Sequence, residues 1–502
     1  MSWPPLGSET TPAGPLLSKS RYLQGLQCPK LLWHVFHAPE QLPPPDAASQ
    51  ANFDQGREVG RLVRLLYPDG ILIDSLDRQT ALSATAVALN HRLPLFEAIF
   101  QHGSGFTRVD ILAPVGSDEW ELIEVKSSTG KKEVHLEDLA FQAHVLAGAG
   151  IRLRKVMLVL VNNGYVRQGE LRVDELLLRA DVTEEVLSRL PSVEQNLVRF
   201  VADVATDAPP TRSIGPHCND PYPCPIHDRC WAHLPARNVT SLYRGAAKGF
   251  EFLAQGIIRL ADIEDEDSLA EHQRIQRWAA IHGQAHLDRD HIGAFLHRLE
   301  YPACFMDFET FASAIPLLDG VRPYEQVPFQ FSVHGVANQG APPEHHDFLA
   351  EGQADPRPEF LARLRQVIGN RGSVVVYNKT FELGRLRECQ AAFPEYGDLV
   401  ENIESRIIDL LEPFRSFAFH HPDQEGSCSI KAVLPVLAGQ SYSHLAIQDG
   451  AAASREFVRV TFGAVEVEDR LATRAALRAY CGQDTLGMVQ IVERLRSLKS
   501  ET

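Results

Sequence analysis

The stretch ELIEVKSST, residues 121–129, sets a carboxylate and an ammonium, Glu124 and Lys126, inside an apolar run of strand character. Successive side chains of a strand point to opposite faces, so Glu124 and Lys126 share one face while Ile123 and Val125 share the other. Upstream, FTRVDILAP (106–114) reads as another short strand, with Asp110 set among Val109, Ile111 and Leu112. The polar turn VGSDEW joins the two runs and predicts a hairpin that brings Asp110 near Glu124 at one end of a sheet. Two carboxylates at close range repel each other and stay ionised most easily when they share a divalent cation. A lysine beside them orients water or stabilises charge developing on a phosphate. Any one acid or lysine at a strand end is more often a solvated edge or a surface ion pair, so the reading rests on the combination.

The chain around this stretch has 502 residues, room for two to four domains of roughly 100–200 residues each. With 44% hydrophobic and 23% charged residues it has the composition of a globular protein. No apolar run approaches the roughly 20 residues that span a bilayer, and the start MSWPPLGSETTPAGP lacks the basic flank and apolar core of a secretory signal. A cytoplasmic location without a membrane partner is the default expectation. The formal charge of −16 argues against nucleic acid held by a general positive field, though not against local basic grooves.

Residues 1–16 read as a disordered tail by composition. From 17 to 235 helical and strand patterns alternate and end in a cysteine-rich loop. Residues 236–298 look like a helical connector, and a second α/β pattern runs from 299 to 502. The fold class is therefore α/β in two domains.

Around the hairpin, LPLFEAIF supplies Glu97, and HLEDLAFQAHVL (135–146) reads as a helix with Asp138 and Gln142 four apart on one face. Asp110, thirteen intervening residues, then Glu124-x-Lys126 resembles the PD-(D/E)XK nuclease signature. Glu97 and Gln142 match further positions of its RecB-like members. The resemblance implies a restriction-endonuclease-like fold in which Glu97, Asp110 and Glu124 bind Mg²⁺ or Mn²⁺, with Lys126 and Gln142 in catalysis. Leu146 stands where relatives carry Tyr, Gly60 where many carry a metal-binding His, and Val109 where the signature has Pro.

Eight cysteines in a reducing compartment are an unlikely disulfide framework. Cys218, Cys224 and Cys230 fall in HCNDPYPCPIHDRCW (217–231), and Cys28 lies in SRYLQGLQCPKLLWH (20–34). Cys304, Cys389, Cys428 and Cys481 read as small buried hydrophobes. Three clustered thiols need a fourth ligand. One Cys at the start of the nuclease domain and three at its end resemble the iron–sulfur members of the RecB-like superfamily, which implies a structural [4Fe–4S] cluster on Cys28, Cys218, Cys224 and Cys230. Tetrahedral zinc is the alternative, with His217 and His227 as replacement ligands.

A second constellation begins at ACFMDFETF (303–311), where Asp307 and Glu309 are two apart and so on one face of a strand. VVVYNKTFELGRL (374–386) passes from strand to helix with Glu382 in the first turns, and LRAYCGQDTLGMV (477–489) places Tyr480 and Asp484 on one helical face. This set resembles the DEDDy exonucleases of the RNase H-like fold. By that match Asp307, Glu309, Glu382 and Asp484 hold two divalent ions, and Tyr480 positions the attacking water. The family's usual Asp is replaced by Glu382, and Asp409 reads as a structural carboxylate. The pairs His345–His346 and His420–His421 read as surface loop.

Together the halves resemble an uncharacterised bacterial family joining an iron–sulfur RecB-like nuclease domain to a DEDDy-type exonuclease domain. The expectation is a Mg²⁺- or Mn²⁺-dependent nuclease, an exodeoxyribonuclease with two phosphodiesterase sites, acting on DNA in repair, recombination or defence, with a helicase or defence system as possible partner. The competing expectations are a nucleic-acid-binding scaffold with inactive sites, its grip supplied by a loose helix–hairpin–helix likeness at 242–263, and an RNA-directed exonuclease.

Overall fold

Two main sheets organise the chain in the computed structural model, which describes residues 14–500. The tail expected over 1–16 therefore lies, up to residue 13, outside the described residues. By internal packing the chain forms two units, one of Met1–Ala232 with Ser313–Tyr324, the other of His233–Ala312 with Glu325–Thr502.

The first unit holds a mixed seven-stranded sheet, β1 (Leu17–Ser18), β2 (Ile71–Leu72), β3 (Leu95–His102), β4 (Gly105–Val115), β5 (Glu119–Val125), β6 (Leu153–Val161) and β7 (Leu177–Asp181). Its order is β2-β3-β4-β5-β6-β7, with β1 added to β4. The β4–β5 hairpin pairs Ile111 with Ile123 and Leu112 with Leu122. Its turn contains Gly116 at φ +57°, a left-handed position that glycine occupies without steric penalty. The helix Glu133–Gly148 packs on this sheet and is apolar almost all round, as a helix must be when neighbours cover every face. Asp138 and Gln142 are buried on it nonetheless.

Ser313–Tyr324 belongs to the first unit although it follows a strand of the second. Backbone bonds tie it in, Arg167 N to Val321 O at 3.1 Å and Gly320 N to Arg167 O at 2.8 Å, and Ala314 is fully buried in a cluster with Val59, Ile123 and Val159.

The second unit is built on β9 (Ala303–Phe311), β10 (Val327–Val336), β11 (Glu344–Leu349), β12 (Val374–Val376) and β13 (Ile407–Asp409), ordered β11-β10-β9-β12-β13. β9 is the centre, antiparallel to β10 and parallel to β12, and both its faces are covered, so Phe305, Met306, Phe308 and Phe311 are all buried. The 34-residue helix Val467–Ser500 packs against β9 and β10.

Two expectations are corrected here. Residues 236–298 are not a separate connector: their helices group with the second unit, where β8 (His286–Leu287) pairs with β14 (Phe419–His420) and Val239, Leu242, Phe252 and Leu260 share a small apolar cluster. Nor are the histidine pairs surface loops. His345 and His346 lie on β11, with His345 stacked on His334 at 4.4 Å, and His420 is buried on β14 against Phe417. Among the described residues no helix is long and apolar enough to cross a membrane.

Candidate functional site

At the open end of the β4–β5 hairpin the two strands part, and Asp110 Oδ2 accepts the Val125 N–H at 2.8 Å. That bond fixes Asp110 beside Glu124. Glu124 is almost completely buried, and both its oxygens are engaged: Lys126 Nζ at 2.6 Å and Lys19 Nζ at 3.0 Å on Oε1, Gln142 Nε2 at 2.7 Å on Oε2. Lys126 also reaches Asp138 at 2.7 Å, and Gln142 donates to Asp138 at 2.9 Å. Asp110, Glu124, Lys126 and Gln142 thus come together, joined by Asp138 and Lys19.

A lone carboxylate in this position would be destabilised by several kcal/mol. Burial works against the Glu124 charge, but Lys126 and Lys19 outweigh it and hold its pKa well below the usual carboxylate range. Burial opposes the Lys19 charge in turn, and Glu124, Asp138 and Asp110 hold that ammonium well above the usual lysine range. Burial and then Glu124 push the Asp110 carboxyl up. Gln142 Oε1 is buried without a hydrogen-bond partner, an acceptor that a cation or its water would satisfy.

Glu97 does not join this set. It sits across from Asp110 in the β3–β4 register, between the pairs Phe96–Ile111 and Ala98–Val109, at φ +57°. Its carboxylate is bonded instead to Arg64 Nη2 at 2.6 Å, from the last turn of the helix Ala47–Arg64. The arginine satisfies the charge that the sequence assigned to a metal.

In the second unit the strand β9 presents Asp307 and Glu309 to the helix Val467–Ser500. Ligand atoms of Asp307, Glu309 and Cys481 all lie within 4.8 Å of one another. Burial first, and then Asp484, push the Asp307 carboxyl well above its usual range, and burial, then Asp307 and Asp484, do the same to Glu309. Glu382, in the first turn of the helix Lys379–Ala392, is buried with its Oε2 unpartnered, and burial with Asp307 raises it likewise. Asp484 is pushed up to about 6 by burial, against the Tyr442 hydroxyl, which donates to its Oδ1. Among the described residues no salt bridge reaches Asp307, Glu309, Glu382 or Asp484. Asp307 and Glu309, with Cys481 beside them, are the group that could hold a divalent cation, and Glu382 and Asp484 stand near enough to act on Asp307. Asp409 is structural: its Oδ1 accepts the N–H groups of Asn378 and Leu411, both at 3.0 Å.

Cys28, Cys218, Cys224 and Cys230 line one small pocket together with His217 and His227. Cys28 ends one helix, Lys19–Gln27, and begins the next, Pro29–His37. Gln27 Nε2 ties that junction to the cysteine loop through the His217 and Tyr222 carbonyls at 2.9 and 2.6 Å. Burial pushes the Cys224 thiol up to about 11, with the other three thiols adding to it.

Several neighbours escaped the sequence reading. Lys19 starts a helix that looks like any other amphipathic one. Tyr442 comes from an irregular stretch, and Lys431, whose ammonium lies over the Tyr442 and Tyr480 rings at 5.8 and 5.5 Å, carries no motif. Cys481 is fully buried, as its reading as a small hydrophobe expects, and its Sγ also lies 3.7 Å from Asp307 Oδ2, a contact for which its adjacency to Tyr480 was the available signal.

A mixed α/β chain with two acid-rich centres and a thiol pocket is thus the class that fold and site define. Residues 304–429, which contain Asp307, Glu309 and Glu382 but stop short of Asp484, match a domain of unknown function, DUF2779. The chain is similar to the uncharacterized protein MG366 homolog of Mycoplasma pneumoniae, 26% identical over 216 residues covering 39% of this chain and 32% of that protein. It is 25% identical to the uncharacterized protein MG366 of Mycoplasma genitalium over 222 residues, 40% of this chain and 33% of that one. The chain spans about a third of the length of the curated relatives it matches.

Proposed function

We propose that the protein is a divalent-metal-dependent nuclease with two phosphodiesterase centres, a PD-(D/E)XK centre in the first unit and a DEDDy-type centre on an RNase H-like sheet in the second. The observation that carries this reading is the approach of Asp307 and Glu309 to within 4.8 Å of each other and of Cys481, with Glu382 and Asp484 acting on Asp307 from two other segments and no ion pair to the four acids among the described residues. Such crowding is relieved when the carboxylates share a divalent cation.

In the second centre these four carboxylates would hold Mg²⁺ or Mn²⁺, and Tyr480, beside the Tyr442 that donates to Asp484, would orient the water that attacks phosphorus. Bound divalent ions supply polarisation of the scissile phosphate and a water of lowered pKa. The Cys481 thiol, kept protonated by burial and the adjoining acids, donates to Asp307 rather than ligating a hard cation. In the first centre Asp110 and Glu124 would hold the ion, while Lys126, fixed by Glu124 and Asp138, stabilises charge on the phosphate.

The thiol pocket fits a structural [4Fe–4S] cluster. Four thiols lining one pocket suit four-cysteine ligation of such a cluster, with tetrahedral zinc as the alternative and His217 and His227 at hand in the same lining. Anaerobically purified protein is expected to be brown. Colourless protein with one zinc per chain would refute the cluster.

DNA is the proposed substrate, with RNA as the competing one. End-labelled DNA and RNA are to be digested with Mg²⁺ or Mn²⁺ by the parent chain, Lys126→Ala and Asp307→Ala. Each variant is expected to lose one component of the activity. Unchanged digestion by both would defeat the two-centre reading, and salt-dependent binding without cleavage would make the protein a nucleic-acid-binding scaffold.

A further inference from the structure

Lys19 lies 105 residues from Glu124 in sequence, yet its ammonium is 3.0 Å from Glu124 Oε1 and 3.8 Å from Asp110 Oδ1. Lys126 occupies the same Glu124 oxygen at 2.6 Å. The first centre therefore holds one ammonium more than its motif requires, and the extra one bridges the two carboxylates that would bind the metal.

The stem of Lys19 is anchored rather than free. Leu17 is fully buried, and its N–H donates to Ser104 O at 2.8 Å. Ser18 pairs with Phe106 on β4 and caps the following helix by accepting from Arg21 N. One turn on, Tyr22 is buried and stacked on Phe141 at 4.9 Å, from the helix that carries Asp138 and Gln142. The main chain thus delivers Lys19 to the carboxylates from an element that shares the unit's core.

An ammonium and a divalent ion draw on the same negative charge and repel each other, so they cannot both hold Asp110 and Glu124 at full strength. We infer that Lys19 is a positioning residue that competes with the divalent ion for Asp110 and Glu124, and so sets the ion concentration at which the first centre loads. This rests on the metal reading of that centre.

The test uses the full chain with Asp307→Asn and Asp484→Asn in every protein, which silences the second centre. Mn²⁺ binding is followed by calorimetry, with thermal unfolding as the control for folding. Lys19→Gln and Lys19→Met are expected to bind Mn²⁺ at the first centre roughly tenfold more tightly than the parent, and Lys19→Arg to stay close to it. Unchanged or weaker binding in the folded uncharged variants overturns the inference. A second measurement needs no change at Lys19: in the parent, Mn²⁺ is expected to raise acylation of Lys19 by an amine-reactive reagent, read by peptide mass spectrometry, because the displaced amine is released from its carboxylates. No rise also overturns it. Glu124→Gln in the same background separates the two levels, since retention of the full Mn²⁺ stoichiometry there refutes the metal reading itself rather than the role of Lys19.

Discussion

In the first unit Glu124 is buried against two ammoniums and an amide, whereas in the second half-buried Asp307 and buried Glu309, Glu382 and Asp484 lie among two phenols and a thiol. Charge is compensated by direct ion pairs in one centre, whereas among the described residues no salt bridge reaches the four carboxyls of the other. Lys431 is the cation nearest to redressing the second centre, and it stands over the tyrosine rings rather than on a carboxylate. The difference teaches that two acid-rich sites in one chain can balance charge in opposite ways: the first by ammoniums of its own, the second by holding its carboxyls well above their usual range.

The largest expected effect separates the centres by activity. Asp307→Asn should lower the second centre's hydrolysis by at least about a hundredfold while leaving the Lys126-dependent component in place, as measured on end-labelled substrates. Equal loss of both components would show that the centres are not independent. Next comes stability in chelator. Glu124→Gln leaves Lys19 and Lys126 facing a neutral amide and should destabilise the first unit by about 3 kcal/mol in denaturant unfolding. Asp307→Asn, under the same conditions, removes repulsion and should stabilise the second unit by about 1 kcal/mol. Matching signs for these two substitutions would break the comparison.

A smaller effect concerns a buried group that meets neither partner nor metal. Burial, aided by His421 and His286, lowers the His420 pKa to about 4, below the unfolded value of about 6.5. Its neutral form is thus favoured by folding, so the associated stability is complete above about pH 6.5 and is lost as pH falls toward 4, reaching a loss of about 1 kcal/mol near pH 6. His420→Phe, which keeps the contact with Phe417, should flatten that acid limb in unfolding curves taken across this range. Addition of Mn²⁺ should leave the His420 component unmoved.

Legibility followed the range of the interaction. ACFMDFETF and the hairpin around ELIEVK could be read because alternation and turn chemistry are local, and the pairing of Asp110 with the Val125 N–H is a consequence of adjacent strands. Tyr480 and Asp484 were readable for the same reason, one helical turn apart. Lys19 was not, since its partners come from a hairpin far along the chain and a single lysine at a helix start is ordinary. The ion pair of Glu97 was not legible either, because its arginine partner comes from a distant helix. His420 looked exposed because polar pairs usually are, and only the pairing of β14 with β8 buries it.

The segment Ser313–Tyr324 would have read as a surface loop, yet its Tyr324 hydroxyl reaches the Ser127 carbonyl, next to Lys126, and Ala314 has no exposure. A gene fragment ending at Ala232 would therefore encode a first unit with a missing piece of its own interior. Recombination can pass the two units on only as a pair, because a simple cut and join at the apparent boundary leaves one of them incomplete.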